Sequence, residues 1–245
     1  MEVIITNSAD EMSKKGAELV AAAVKKNPKA VLGLATGGTP VKMYAELIKL
    51  YKSGALDFKK VRSFNLDEYV GLPGTHDQSY RCFMNENLFN HINIDKKNTN
   101  VPDGLAKDIE KSCAEYEAKI KAWGGIDLQV LGIGSNGHIA FNEPLSGAMS
   151  KTRKVAISQR TISDNARFFK TMDEVPKTAV TMGIGTILEA RKIVLLASGG
   201  NKADVIAAAV EGPVTQLVPA SFLQLHADTV FVVEKEAASK LKGKY

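Results

Sequence analysis

Four short segments hold residue types that can grip an anion or move a proton. The first reads Thr36-Gly37-Gly38-Thr39-Pro40. Glycines let backbone N–H groups approach a ligand, and proline suits a first helical turn. The free N–H groups of that turn, with the Thr39 hydroxyl, make a phosphate cradle. It is not a P-loop, because no Gly-Lys-Ser/Thr follows. The second, Ser198-Gly199-Gly200-Asn201-Lys202, repeats the pattern with a lysine beside it. The third is Asp67-Glu68-Tyr69, two acids at the end of an expected buried strand. Carboxylates there are costly to desolvate unless used or paired, and one can serve as a general base. The fourth is Gly134-Ser135-Asn136-Gly137-His138, with Glu143 five residues on. Histidine can give and take a proton near neutral pH, and Glu143 could orient its ring or hold its charge.

Each segment alone also reads blandly, as a capped turn or a buried structural histidine. Residues 132–137 match G-x-G-x-x-G, but no convincing helix follows and no acid ends the next strand, so a dinucleotide site is set aside. A metal held by Asp67, His138 and Glu143 is set aside too, since nothing else has ligand spacing. His76, His91 and His226 read as structural.

The elements that must position these residues alternate from end to end. Strands are expected at 3–6, 30–35, 61–66, 128–133, 154–157, 193–197 and 229–233. Amphipathic helices are expected at 12–26, 41–51, 79–92, 109–122, 202–210 and 234–242, the first behind a start signal at Ser8, Asp10 and Glu11. Several strands are apolar almost throughout, as strands covered on both faces are. The pattern predicts an α/β single domain over 1–245, with a mainly parallel, open, Rossmann-like sheet and helices on both faces. In such sheets ligands bind beyond the carboxyl ends of the strands, and all four segments fall there. Residues 142–158 are the least regular, and a lid is expected around 145–175.

Composition narrows the class. The 245 residues carry a net charge of +5, which suits an anionic small molecule. No basic stripe with interleaved aromatics points to nucleic acid. No apolar run reaches the ~20 residues of a membrane span. Cys82 and Cys113 are too few for a disulfide framework, read as reduced thiols, and suggest a cytoplasmic protein. The lysines at 240, 242 and 244 read as a solvated tail.

The chain closely resembles the glucosamine-6-phosphate deaminases. The matching segments are LGLATGGTP at 32–40, NLDEY at 65–69, LGIGSNGHIAFNEP at 131–144, NARFF at 165–169 and VTMGIGT at 180–186. The likeness spans nearly the whole chain and implies conversion of glucosamine 6-phosphate and water to fructose 6-phosphate and ammonia, with no metal or organic cofactor. It implies that His138, supported by Asn136 and Glu143, opens the pyranose, and that Asp67 then moves a proton from C2 to C1. Thr36, Gly37, Gly38, Thr39, Arg167 and Lys202 would hold the phosphate. The expected partner is a small sugar phosphate, and the chain could be a monomer or a homo-oligomer.

Three departures or rivals stand beside this. Many members of the family carry aspartate where this chain has Asn136, which can orient the histidine but not share its charge; an altered pH profile is expected. The effector-binding serine pair and Arg-x-Lys of allosteric members become Ser146-Gly147 and Arg153-Lys154-Val155, and the C-terminal extension is short, so activation by an effector is not expected. Rival activities are galactosamine-6-phosphate deamination, 6-phosphogluconolactone hydrolysis, which shares the fold but favours arginine where Tyr69 stands, and sugar-phosphate sensing by a regulatory domain.

Overall fold

A computed structural model describes residues 1–245, apart from the side chains of Asp164 and Phe168. The strands are β1 (Glu2–Thr6), β2 (Val31–Leu34), β3 (Arg62–Asn65), β4 (Asp67–Tyr69), β5 (Thr99–Asn100), β6 (Leu128–Leu131), β7 (Arg153–Ala156), β8 (Thr178–Thr181), β9 (Ile193–Ala197) and β10 (Thr229–Glu234). The α-helices are α1 (Ala9–Lys26), α2 (Gly38–Lys52), α3 (Tyr80–Asn87), α4 (Ile109–Ala122), α5 (Gln159–Asn165), α6 (Ile184–Leu188) and α7 (Ala203–Glu211).

Seven strands form one sheet in the order β1-β10-β9-β6-β2-β3-β5, with every pairing parallel. Every residue of β2, β6 and β9 is buried. Successive side chains of a strand point to opposite faces, so burial along the whole strand means both faces are covered. The chain runs from β2 outward through β3 to β5, then crosses back to place β6 on the other side of β2. The loops after β2 and β6 therefore diverge and leave a crevice at their carboxyl ends.

Two tyrosines pin that edge of the sheet. Tyr44 in α2 donates to the Ala35 carbonyl at 2.5 Å, and Tyr116 in α4 donates to the Asn65 carbonyl at 2.7 Å. Each fixes a backbone segment that leads directly into a site loop.

A second, antiparallel sheet in the order β4-β8-β7 stands apart from the first. It has its own small core of Tyr69, Phe141, Ile157, Ile162, Val175 and Ala179. The run expected at 154–157 belongs to this sheet rather than to the parallel one. Its alternation of half-buried and exposed residues fits a strand covered on one face only.

Two expected helices differ. The stretch 79–92 is an eight-residue helix followed by a 3-10 turn at Phe89–His91. The stretch 234–242 is not a helix. Glu234 ends β10, and the next residues coil as turns around buried Ala237 and Ala238. The Lys235 N–H is taken by the Thr6 carbonyl of β1, which carries the strand pairing one residue past Glu234. The lysine tail beyond is tethered: the Glu211 carboxylate accepts the backbone N–H of Lys242 and Gly243, and Lys240 meets Asp204 at 2.5 Å. Among the described residues, no helix is long and apolar enough to cross a membrane.

Candidate active site

A cavity of about 220 Å³ opens over the carboxyl ends of β2, β3, β6 and β9. After β2, Gly37 takes φ 90° and ψ −178°, a backbone region almost confined to glycine. That turn starts α2 at Gly38 and lays Thr36, Gly37, Gly38 and Thr39 along the cavity wall. After β9, Gly199 also takes φ 90°, and its N–H donates to Glu234 at 2.8 Å. The following turn brings Lys202 into the cavity, where its Nζ also donates to the Ile133 carbonyl at 2.8 Å. Arg167, in the 3-10 turn Ala166–Phe168 behind α5, lines the same cavity. Backbone donors, a lysine and an arginine thus share one recess, as a phosphate monoester requires.

The acid pair after β3 divides its work. Glu68 accepts the N–H groups of Tyr69, Tyr80 and Arg81 at 2.9, 2.9 and 3.0 Å, and so caps the start of α3. Burial raises its pKa against those three donors. The bland reading, a helix cap, is therefore the right one for Glu68. Asp67 instead lines the cavity. Burial, and then the neighbouring Glu68 charge, push its pKa up to about 8. A base so placed takes a proton far more readily than an ordinary carboxylate.

The loop after β6 is shaped around one imidazole. A Cβ on Gly134 would lie 2.2 Å from the His138 ring, so this glycine makes room for it. Gly137 takes φ 86° to turn the chain. These needs account for two of the glycines that mimic a nucleotide motif. Behind the turn, buried Asn142 donates to the carbonyls of Ile139 and Met182 at 3.0 and 2.8 Å, and so staples the loop to the end of β8.

His138 lines the cavity, and a chain of groups fixes it from behind. Its Nδ1 lies 2.7 Å from Asn136 Oδ1, and Asn136 Nδ2 donates to Glu143 Oε2 at 2.6 Å. A carboxylate can only accept, so the amide nitrogen faces Glu143 and the amide oxygen faces the ring. Nδ1 therefore carries a proton, and in the neutral ring Nε2 is the basic nitrogen that can accept one. Glu143 Oε1 lies 3.7 Å from the same Nδ1. Burial opposes the ionisation of Glu143. Hydrogen bonds from Thr161, Asn136 and Ser158 and the charge of His138 outweigh it and hold the pKa below the usual range.

Every expected site residue is brought together, with Asn136 and Glu143 behind the histidine rather than on the cavity wall. Sequence reasoning missed Thr161, Ser158 and Tyr80. Thr161 and Tyr80 line the cavity, and Ser158 and Thr161 meet Glu143. Phe168 of the NARFF segment has a side chain outside those described.

Comparison with known proteins gives the family. The model of the glucosamine-6-phosphate isomerases/6-phosphogluconolactonase family matches residues 6–232. The chain belongs to this family. Within it, the chain is 55% identical over 242 residues to a glucosamine-6-phosphate deaminase of Clostridium perfringens, covering 99% of this chain and 100% of that one. It is 56% identical over 241 residues to one of Cellvibrio japonicus, covering 98% and 92%. A solved monomeric glucosamine-6-phosphate deaminase superposes with a TM-score of 0.96 at 42% identity, covering 98% of this chain and 100% of that chain. The 6-phosphogluconolactonase of Trypanosoma cruzi, at 24% identity and a TM-score of 0.77 over 99% and 97% of the two chains, shares the fold alone.

Proposed function

We propose that this protein converts glucosamine 6-phosphate and water to fructose 6-phosphate and ammonia, in the cytoplasmic breakdown of amino sugars. One observation carries the reading: the raised carboxyl of Asp67 and the Asn136-bound imidazole of His138 open into one cavity that also holds Thr36–Thr39, Arg167 and Lys202. Likeness to the deaminases over nearly the whole length of the chain supports it.

The phosphate is held by the two glycine turns and by Arg167, whose guanidinium can engage it bidentately. Holding the far end of the sugar sets C1 and C2 over the proton-moving groups. His138 Nε2 takes the proton of the C1 hydroxyl and returns one to the ring oxygen as the C1–O5 bond breaks. Glu143 stabilises the imidazolium across 3.7 Å. Ring opening exposes an aldehyde, and that acidifies the C2–H. The Asp67 carboxylate then removes the C2 proton while the aldehyde oxygen takes one from solvent, giving the C1–C2 enolamine; Asp67 delivers its proton to C1, and the nitrogen of the resulting C2 iminium returns a proton to solvent. The product is an imine at C2, which water hydrolyses to the ketone and ammonia. Residues around 145–175 contribute Thr161, Asn165 and Arg167 to the cavity wall, and we read this segment as the lid of the site.

The test is direct. Purified protein given glucosamine 6-phosphate should release ammonia and fructose 6-phosphate in equal amounts, and faster than it acts on the galactosamine epimer. Asp67→Asn should abolish release while still binding the sugar phosphate. Hydrolysis of 6-phosphogluconolactone without ammonia release would overturn the reading.

A further inference from the structure

The carboxylate of Glu143 is shared between two parts of the molecule. Oε2 accepts from Asn136 at 2.6 Å, on the way to the His138 ring. Oε1 accepts from Thr161 Oγ1 at 2.5 Å and from Ser158 Oγ at 3.0 Å. Those two hydroxyls form the first turn of α5 and lie 3.1 Å apart. The turn after α5 carries Arg167 into the cavity. One short element therefore presents the phosphate-binding arginine and also grips one end of the carboxylate that supports the imidazole.

Helix capping does not account for this arrangement. Capping needs only the Ser158 oxygen, which accepts from the Thr161 N–H at 3.2 Å. The Thr161 hydroxyl is free of that duty and is turned to Glu143. Thr161 is buried and lines the cavity, so water competes little for its hydroxyl.

The effect on the histidine is a matter of torsion. The last side-chain torsion of glutamate is soft, so a carboxylate held at one oxygen can swing. Holding both oxygens fixes its plane. A fixed plane pins the Asn136 amide, and the amide pins the Nδ1–H tautomer and the ring.

We propose that Thr161, backed by Ser158, is a positioning residue for sugar-ring opening, acting on His138 through Glu143 and Asn136. The inference rests on the deaminase reading above. It adds a requirement that none of the matched motifs contains, since both hydroxyls lie between the segments at 131–144 and 165–169.

The test compares Thr161→Val, which keeps the shape and loses the hydroxyl, with Thr161→Ser, which keeps the hydroxyl. A hydrogen bond to a charged group carries about a factor of ten or more, so kcat for glucosamine 6-phosphate should fall about tenfold in the valine variant. KM and the inhibition constant of inorganic phosphate should stay within about twofold, because the phosphate contacts remain. The serine variant should recover most of the loss. A valine variant with wild-type kcat would overturn the proposal, as would a serine variant as slow as the valine one, since the methyl group and not the hydroxyl would then matter. A rise in KM that accounts for the whole loss would also overturn it, by placing the role in binding. If the valine variant does not fold, Thr161→Ala against Thr161→Ser carries the same comparison. Failure of the deaminase reading is distinguishable, because the wild-type protein would then release no ammonia.

Discussion

Asp67 holds its proton more tightly when folded than when unfolded, with a pKa raised from the ordinary 3.8 to about 8 by burial and by Glu68. Between those values the folded state binds more protons than the unfolded state, so stability falls as pH rises through that window. The side chain is kept for proton transfer at a cost to the fold. Asp67→Asn removes the burden without changing shape. For a chain of this size, 1 kcal/mol moves Tm by roughly 2–4 °C, so at pH 9 the variant should melt at least about 2 °C above the wild type. At pH 3, where the carboxyl is mostly neutral in the folded and the unfolded chain alike, the two should melt together. An equal gap at both pH values would show that the buried charge is not its cause. Asn136 sets a second residue-scale test. An aspartate there would face the Glu143 carboxylate across the present 2.6 Å contact, and the two would resist ionising together. Asn136→Asp should keep turnover, and its activity profile should move to higher pH as the added charge favours the imidazolium. An unchanged profile would show that this position orients the ring without influencing its charge.

The loop after β6 shows what an element contributes beyond its residues. Gly134 contacts the imidazole so closely that its missing Cβ is a condition of the site, with only 2.2 Å available. Its φ is not positive, so the backbone does not demand glycine, and the clash falls first on His138. A displacement of about 1 Å can cost about 10²-fold in rate, and Gly134→Ala should lose about that much kcat. Far-ultraviolet circular dichroism should not change. A variant with wild-type kcat would mean that the ring can move without consequence. The histidine and its glutamate were legible in the sequence because they lie five residues apart, and the asparagine through the family resemblance. The reason for Gly134 was not, since the same spacing mimics a nucleotide motif. Ser158 and Thr161 were not legible either, because their partner Glu143 lies 15 and 18 residues away and only the folded chain joins them. The parallel strands were legible through apolar runs buried on both faces. β4 and β5, of three and two residues, were too short to show a period, and β8, though as long as β2, has only Ala179 and Val180 between its threonines. The segment after β10 has helix-forming residues, yet β10 takes Glu234 into the sheet and the pairing with β1 continues at Lys235, so an extended start stands where the helix was expected.

The whole molecule consists of two packed parts: the parallel sheet with its large core, and the small antiparallel sheet with its separate aromatic core. The candidate phosphate site draws on both. Thr36–Thr39 and Lys202 come from loops of the large sheet, whereas Arg167 follows α5, whose Ile162 packs in the small core. A ligand that bridges them binds only the folded, assembled arrangement, and such a ligand raises stability by mass action. Inorganic phosphate at about 100 times its dissociation constant should add about 2.7 kcal/mol, which for this chain length is a rise in Tm of roughly 5–10 °C. Amide exchange should slow in three places at once: residues 36–40, 158–169 and 199–203. Arg167→Ala should lose most of the rise, because Arg167 is the cation that the small part adds to the cavity wall, while Asp67→Asn should keep it in full. Protection confined to the two glycine turns, with Arg167→Ala stabilised as much as the wild type, would mean that phosphate is held by the large sheet alone. The segment carrying α5 would then owe its place over the site to Glu143 and the aromatic core rather than to the ligand.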